Sequence, residues 1–239
     1  MTMMCCVQLS CKKSDSNTVS VAVPAVYKKI YGATSITNDG TYITIKSNGV
    51  PDHKSAYYPT TNTLYEAFSG TTFGGSTFSA NPNTIVEQTL TFKIPVNPAQ
   101  ASTHASTPGG PIGVAINGVA IFNQYAAMNS PLDNEMVSFD QWWGHPQQQG
   151  QYHYHVEPKY LTTVTGTDSS LIGFLLDGFP VYGPVEHGVT MTNAMLDEYH
   201  GHFLATPDYP NGIYHYHITS ELPYINGNGF YGTAGSVSQ

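Results

Sequence analysis

Two stretches of the chain share one pattern: IGVAINGVAIFN at Ile112–Asn123 and IGFLLDGFPVYG at Ile172–Gly183. In each stretch two apolar runs flank a dipeptide, Asn117-Gly118 or Asp177-Gly178, that favours the tight turn of a β-hairpin. Short apolar runs bounded by turn signals are typical of buried strands. The two stretches therefore predict two buried hairpins, whose first residues lie 60 positions apart.

The similarity continues downstream of both hairpins. FDQWWGH at Phe139–His145 matches LDEYHGH at Leu196–His202, and GQYHYHVEP at Gly150–Pro158 matches GIYHYHITS at Gly212–Ser220. The matching blocks keep their order. We therefore expect two repeats of about 60 residues that pack about a pseudo-two-fold axis.

The composition predicts a mainly β fold with one or two short helices. Gly (23), Pro (16) and Tyr (17) are abundant, and these residues favour strands and turns over long helices. Strands are indicated at Thr41–Val50 and Thr84–Val96, a long loop lies between them, and Thr192–His200 is expected to form one or two helical turns. We predict one domain over residues 25–239, with the repeats at 112–158 and 172–220.

Residues 1–24 are interpreted as a signal-like segment and tether. Leu9-Ser10-Cys11 followed by KKSDSNT resembles the end of a bacterial lipoprotein signal, although the apolar stretch is short for a complete signal; a disordered tail is the alternative. This interpretation predicts an exported protein, either periplasmic, secreted or anchored at the outer membrane through a lipid on Cys11. Cleavage before Cys11 would leave a folded body without other cysteines.

The charge excludes some partners. The net charge is −8 with only eight Lys and Arg residues, and nucleic-acid binding requires clustered cations. No apolar stretch is long enough for a membrane-spanning helix. The motifs of serine hydrolases, helical zinc proteases and phosphate-binding loops do not occur.

The histidines of the two Tyr-His-Tyr-His segments are predicted metal ligands. In a strand, His153 and His155 share one face and the tyrosines share the other, with the two imidazoles rooted about 6–7 Å apart. His215 and His217 repeat the arrangement. A third ligand completes each set, or both sets converge on one shared site. The full set of predicted ligands is His53, His145, His153, His155, His202, His215 and His217.

Imidazole ligands without thiolates favour zinc or copper. Zinc with an open position would activate water and hydrolyse an ester-like bond, whereas copper would suit oxidation or copper handling. Asp140 and Asp197 precede the Gly-His pairs and are interpreted either as groups that orient or bind at the site, or as turn aspartates. Together with Tyr154 and Tyr216 they form the predicted catalytic set.

Two further hypotheses compete with a metalloenzyme. One is a non-catalytic surface module that binds glycan or protein through exposed aromatic residues in loops, namely Tyr57, Tyr58, Trp142 and Trp143, with structural histidines. The other is metal-free acid–base catalysis by a histidine with Asp140 or Asp197. His200 is either an additional ligand or a surface residue, and His104 and His187 are expected in exposed loops.

The segments YHYHVEP, YHYHITS, GVAINGVAIFN, LIGFLLDGFPVYGP and LDEYHGH resemble the YHYH domain family over roughly Thr41–Gly232. The resemblance implies the domain boundaries and export, favours His53 as a site residue through SNGVPDH, and leaves the chemistry open. Relatives often carry cysteine before the Gly-His pair. Here Trp142 and Tyr199 stand at those places, so a site of histidine, carboxylate and tyrosine remains.

Overall fold

A computed structural model describes residues 21–164 and 170–239. Most of the predicted signal-like segment, including Cys11, lies outside the described residues. Within the described ranges, no helix has the length and apolar character needed to cross a membrane.

The fold is mainly β, as predicted, with short helical segments between strands. The strands are β1 (Ala33–Asn38), β2 (Tyr42–Ser47), β3 (Leu90–Pro95), β4 (Pro111–Ala115), β5 (Ala120–Phe122), β6 (Tyr125–Ala126), β7 (Ser130–Pro131), β8 (Gly144–Pro146), β9 (Tyr152–Tyr154), β10 (Leu171–Leu175), β11 (Pro180–Tyr182), β12 (Val185–Glu186), β13 (Val189–Thr190), β14 (Gly201–Thr206), β15 (Tyr209–His217) and β16 (Ser236–Ser238). The helices are α1 (Asp133–Met136) and α2 (Lys159–Val164), with 3-10 turns at Ala25–Lys29, Ala127–Asn129 and Asn193–Met195.

The largest sheet has eight strands in the order β14-β15-β11-β10-β4-β5-β9-β8. Both predicted hairpins are confirmed, since β4 pairs with β5 and β10 pairs with β11 in antiparallel orientation. Gly118 and Gly178 adopt φ values of 82° and 86° in the two turns, a region that glycine enters without steric cost. All residues of β4 and β10 are buried, which explains their unbroken apolar pattern.

The order and the pairing of the strands are equivalent when this sheet is followed inward from either edge. In each half an antiparallel edge pair, β8–β9 or β14–β15, joins a hairpin through a parallel contact, β5–β9 or β11–β15. At the centre Gly173 pairs with Ala115 and Leu175 pairs with Gly113. This pairing is what two repeats related by a two-fold axis require; the two-fold packing itself stays a prediction.

A second sheet, in the order β1-β2-β3-β16, covers the turns of both hairpins. Ser47 on β2 donates a hydrogen bond to the carbonyl oxygen of Gly118 at 2.7 Å, and Gly235 donates to the carbonyl oxygen of Leu176 at 2.8 Å. Ile43, Ile45 and Phe92 are fully buried in this sheet. β2 therefore contacts the turn of the first hairpin, and the residue before β16 contacts the turn of the second.

Two expected boundaries differ from the structure. The strand expected over Thr84–Val96 begins only at Leu90. The residues before it hydrogen-bond to other parts of the chain instead of the sheet: Ile85 N–H donates to the carbonyl oxygen of Tyr57, and Val86 N–H donates to that of Gly150. The helical turns expected over Thr192–His200 reduce to one 3-10 turn. The rest of that stretch forms the loop that leads into β14.

The central strand pair predicts a strong effect for Gly173→Ala. An added Cβ would lie 2.2 Å from the carbonyl oxygen of Val114 and 2.8 Å from the Cα of Ala115, and neither backbone atom can move alone. We expect the free energy of unfolding to fall by about 1–3 kcal/mol or more, measured by thermal or urea denaturation. Gly109→Ala is the matched control because nothing lies within 4 Å of its added Cβ. Equal stability of the two variants would contradict the close pairing of β4 and β10.

Candidate metal centres

The alternation of side chains along β9 and β15 separates the tyrosines from the histidines. Tyr152 and Tyr154 point to one side, where their rings contact each other, and His153 and His155 point to the other. The same separation holds for Tyr214 and Tyr216 against His215 and His217. Each strand therefore presents two imidazoles to one site.

The first cluster consists of His145, His153 and His155, all buried. β8 supplies His145, which lies directly opposite His153 in the antiparallel pair. The Nε2 atoms of His153 and His155 are 2.9 Å apart. Nitrogens bound to one ion at about 2.0–2.1 Å in tetrahedral geometry lie roughly 3.3 Å from each other, so this spacing suits a shared ion.

Hydrogen bonds fix the orientation of the first cluster. The Nδ1 atom of His155 faces the carbonyl oxygen of Asn123 at 2.6 Å, and that of His153 faces the carbonyl oxygen of Gln151 at 3.1 Å. A carbonyl oxygen only accepts, so each Nδ1 carries the proton and each Nε2 exposes a lone pair. Burial lowers the pKa of His155 to about 4, which keeps this imidazole neutral. Two lone pairs at 2.9 Å repel unless a cation lies between them.

His145 completes the same arrangement. Its Nδ1 lies 2.7 Å from the hydroxyl oxygen of Ser138, whose own proton goes to the carbonyl oxygen of Glu135. Its Nε2 is buried and has no hydrogen-bond partner among the described residues. Burial, with a smaller contribution from His155, lowers the pKa of His145 well below its usual value. A buried, unpaired lone pair aimed at two others is the donor arrangement of a metal site.

A carboxylate stands at the edge of the first cluster. One oxygen of Glu135 on α1 is 3.6 Å from Nε2 of His145 and 4.0 Å from Nε2 of His155. The Glu135 side chain is 33% exposed, and its partial burial raises the pKa of the carboxyl group. It can therefore reach either the ion position or a water molecule bound there.

The first cluster opens into a cavity of about 820 Å³. All three histidines line it, together with Glu135, Phe122 and nine asparagine and glutamine residues. Such a volume accommodates a small organic ligand. The long loop before β3 contributes Ser79, Asn81 and Asn83 to the wall, which gives that loop a place in the site.

The second cluster consists of Glu186, His202, His215 and His217. Nε2 of His202 lies 3.1 Å from Nε2 of both His215 and His217. The Glu186 carboxylate is buried and reaches His202 and His215 at 3.1 Å each. Four donor groups match the usual complement of a tetrahedral zinc ion.

The second cluster is oriented like the first. Nδ1 of His215 faces the carbonyl oxygen of Ile213, and Nδ1 of His217 faces that of Gly183, both at 3.0 Å. Burial lowers the pKa of His217 to about 3, so its Nε2 also exposes a lone pair at neutral pH. His202 lies on the edge strand and is 25% exposed, while the other three side chains are nearly inaccessible.

Six of the seven predicted ligands thus form two clusters of three histidines. Asn123 and Gly183, 60 positions apart, accept equivalent hydrogen bonds from His155 and His217. Three positions after these residues, the second repeat (hereafter the second unit) has Glu186, whereas the first repeat (the first unit) has Ala126. The carboxylate of the first cluster comes instead from α1. The second cluster therefore receives its carboxylate from β12, just after its own hairpin. The first cluster has alanine at the equivalent position, and one side of it faces the cavity.

Asp140 and Asp197 lie in turns, as one of the two interpretations expected. Asp140 accepts hydrogen bonds from the N–H of Trp142 and the hydroxyl of Tyr152, and Asp197 accepts from the N–H of Tyr199 and the hydroxyl of Tyr214. Burial raises the pKa of Asp140 to about 6. Both carboxylates face the tyrosine side of the strands, so neither belongs to a histidine cluster.

The structure also places Tyr154, Tyr216 and His53 away from the clusters, because strand alternation turns the tyrosines to the opposite side. Tyr154 accepts a hydrogen bond from the side chain of Asn117 and donates to Nε2 of His53, whose Nδ1 faces a carbonyl oxygen. Tyr216 donates to the buried carboxylate of Asp177 at 2.6 Å. Both phenols thereby bind the turn residue of a hairpin.

The remaining histidines do not join the clusters. His200 is buried and bonds to the hydroxyl of Thr219, so it is neither a ligand nor a surface residue. His104 is half-buried against the ring of Tyr199, with a ring-centroid distance of 4.2 Å, and does not project freely as expected. His187 is exposed.

The aromatic platform of the surface-module hypothesis is largely buried, which corrects that expectation. Tyr57 and Tyr58 are 2% and 4% exposed, and their hydroxyls bond to the carbonyl oxygens of Ser138 and Pro51. Trp142 and Trp143 are half-buried. Two buried and two half-buried rings do not form an exposed binding face.

Sequence reasoning missed three site residues. Glu186 has no acidic counterpart in the first repeat, so the repeat gives no signal for it. Glu135 lies in a short helix with no motif around it, and Gln151 directly precedes the first Tyr-His-Tyr-His segment. Only Gln151 carried a usable signal, since strand alternation places it on the same face as His153 and His155.

The sequence profile of the YHYH protein family matches the chain over residues 91–191 and 185–230. The chain belongs to the YHYH protein family. The matched region contains both hairpins and both histidine clusters, while β1, β2 and His53 lie before it. Among curated proteins and among solved structures, no protein matches the chain.

The phenol contacts predict that Tyr216→Phe destabilises the YHYH protein. The change leaves the buried carboxylate of Asp177 and the N–H of Tyr231 without one partner each. We expect the free energy of unfolding to fall by about 1–3 kcal/mol, measured by urea denaturation. Tyr125→Phe, at an exposed ring, is the control. Equal stability of the two variants would contradict the structural role of the Tyr216 hydroxyl.

Proposed function

We propose that this YHYH protein is an exported metalloenzyme that binds zinc or copper at both histidine clusters and carries out its chemistry at the first. The observation that carries the proposal is the convergence of the imidazole Nε2 atoms in each cluster. Export rests on the lipoprotein-like pattern that ends at Cys11, together with the resemblance to exported relatives.

The two clusters differ in whether a fourth coordination position of a bound ion would remain free. Three histidines with a fourth position open to substrate are typical of catalytic zinc sites, whereas four protein ligands are typical of structural ones. The first cluster has three histidines and faces the cavity. The second has Glu186 as a fourth donor among His202, His215 and His217. We therefore assign chemistry to the first cluster and a structural role to the second.

The residues of the first cluster suit hydrolysis if the ion is zinc. A zinc ion supplies a bound water whose pKa is lowered to about 7. His145, His153 and His155 would hold the ion, and Glu135 stands where it can accept a proton from water attacking an ester-like carbonyl group. Copper at the same ligands would supply oxidation or copper handling. The residues of the predicted catalytic set would have a positioning role, because they contact the opposite side of the strands that carry the ligands. These residues are Asp140, Asp197, Tyr154 and Tyr216.

The first test of the proposal is metal content, measured by inductively coupled plasma mass spectrometry on tag-free protein. We expect about two zinc or copper ions per chain, because each cluster supplies a complete set of imidazole donors. His153→Ala and His215→Ala should each lose about one ion, and the double variant should lose both. His187→Ala is the control, since this histidine is exposed and outside the clusters. A wild-type protein that binds no metal after incubation with zinc or copper and desalting would refute the proposal.

The second test separates the open cluster from the filled one. In protein loaded with Co²⁺ or Cu²⁺, azide should bind one ion per chain and change its visible absorption spectrum, because only the first cluster leaves a position free. The azide response should disappear in His153→Ala and persist in His215→Ala. A response that instead persists in His153→Ala and disappears in His215→Ala would reverse the assignment of the two clusters.

A further inference from the structure

Gln151 is a fully buried residue with an unpaired donor. Its Oε1 accepts hydrogen bonds from the side chains of Gln239 at 3.1 Å and Gln147 at 3.5 Å, and these contacts fix the orientation of the amide. Its Nε2 has no hydrogen-bond partner among the described residues. A buried N–H group without an acceptor costs about 1–3 kcal/mol, so such a group is expected to serve a specific purpose.

The unpaired donor lies beside the first cluster. Gln151 is two residues before His153 and four before His155, so all three side chains leave the same side of the strand. The backbone oxygen of Gln151 also receives the Nδ1 proton of His153. Gln151 and the three histidines line the same cavity. The cavity therefore combines the three imidazoles of the first cluster with a residue that carries an unpaired amide donor.

The second unit has no such donor. Its equivalent position, 62 residues on, is Ile213, whose backbone oxygen accepts the proton of His215 in the same way. The backbone contact that orients the histidine thus needs no polar side chain. The amide of Gln151 accompanies only the cluster that opens into the cavity, which indicates a role in ligand binding.

The cavity wall indicates an uncharged ligand. Within the described residues that line it there is no lysine or arginine, and Glu135 is the sole acidic side chain. An anionic ligand such as phosphate would therefore find no lysine or arginine partner there. Amide side chains instead pair with carbonyl and hydroxyl groups. The ring of Phe122, stacked on His153 at a centroid distance of 4.0 Å, provides an apolar surface beside the ion position.

We propose that Nε2 of Gln151 donates a hydrogen bond to the carbonyl oxygen of an uncharged ligand that also coordinates the metal ion of the first cluster. The proposal rests on the proposed function, because it requires the ion, and it adds the chemical class of the ligand and the residue that selects it. With an ion held by the first cluster, the Gln151 amide would donate to the same carbonyl oxygen, and both would favour negative charge on that oxygen.

The test uses Co²⁺-loaded protein and two probes. Acetohydroxamic acid is uncharged at neutral pH and offers a carbonyl oxygen beside a second metal-binding oxygen, whereas azide is an anion that binds the ion alone. Metal content is measured first, and dissociation constants follow from titrations of the visible spectrum. In Gln151→Met, a variant of similar length without the donor, we expect acetohydroxamic acid to bind roughly 10-fold to 100-fold more weakly, the range that loss of one buried hydrogen bond implies. Azide affinity should change little.

Controls separate the possible failures. Gln148→Leu removes an exposed amide of the same cavity and should leave both affinities unchanged. If Gln151→Met fails to fold, Gln151→Ile, which takes the residue of the second unit, replaces it. Unchanged affinity for acetohydroxamic acid, or an equal loss for both probes, would overturn the role of Gln151, and tight binding of inorganic phosphate would overturn the ligand class. Absence of bound metal in the wild-type protein would overturn the proposed function itself.

Discussion

The structure depends on the two-residue period of the Tyr-His-Tyr-His strands. Because side chains alternate across a strand, one short segment holds the hairpin turns with its phenols and builds a cluster with its imidazoles. Tyr154 meets Asn117 and Tyr216 meets Asp177, while His155 and His217 bond to the backbone that follows each hairpin. A shift by one residue would exchange the two faces and break both sets of contacts.

This constraint explains how buried polar groups are accommodated in the sheet. The imidazoles, phenols and carboxylates near the clusters are almost inaccessible, and burial without partners is costly. Each Nδ1 of the paired histidines finds a carbonyl oxygen, and the carboxylates of Asp140 and Asp177 accept hydroxyl and backbone N–H groups. The convergent Nε2 atoms are the exception. A bound cation is the partner that would satisfy them together.

The sequence alone predicted much of this arrangement and failed at identifiable points. The turns at Gly118 and Gly178, the buried hairpins and the common face of His153 and His155 follow from local patterns that the chain obeys. Glu135 reaches its cluster through a tertiary contact that no spacing encodes. Tyr57 and Tyr58 were expected on the surface, since a loop rich in glycine and serine suggests exposure. Both are buried, and their hydroxyls donate hydrogen bonds to the carbonyl oxygens of Ser138 and Pro51.

The difference between the clusters comes from two positions. Where the second unit has Glu186 and Ile213, the first has Ala126 and Gln151. Glu186 supplies a carboxylate to its own cluster, while Ala126 lines the cavity and the carboxylate of the first cluster comes from Glu135. Gln151 adds a donor where Ile213 adds none. The same pair of strands and hairpin thus supports a filled site and an open one, because the imidazole scaffold is fixed by backbone contacts that are independent of both changes.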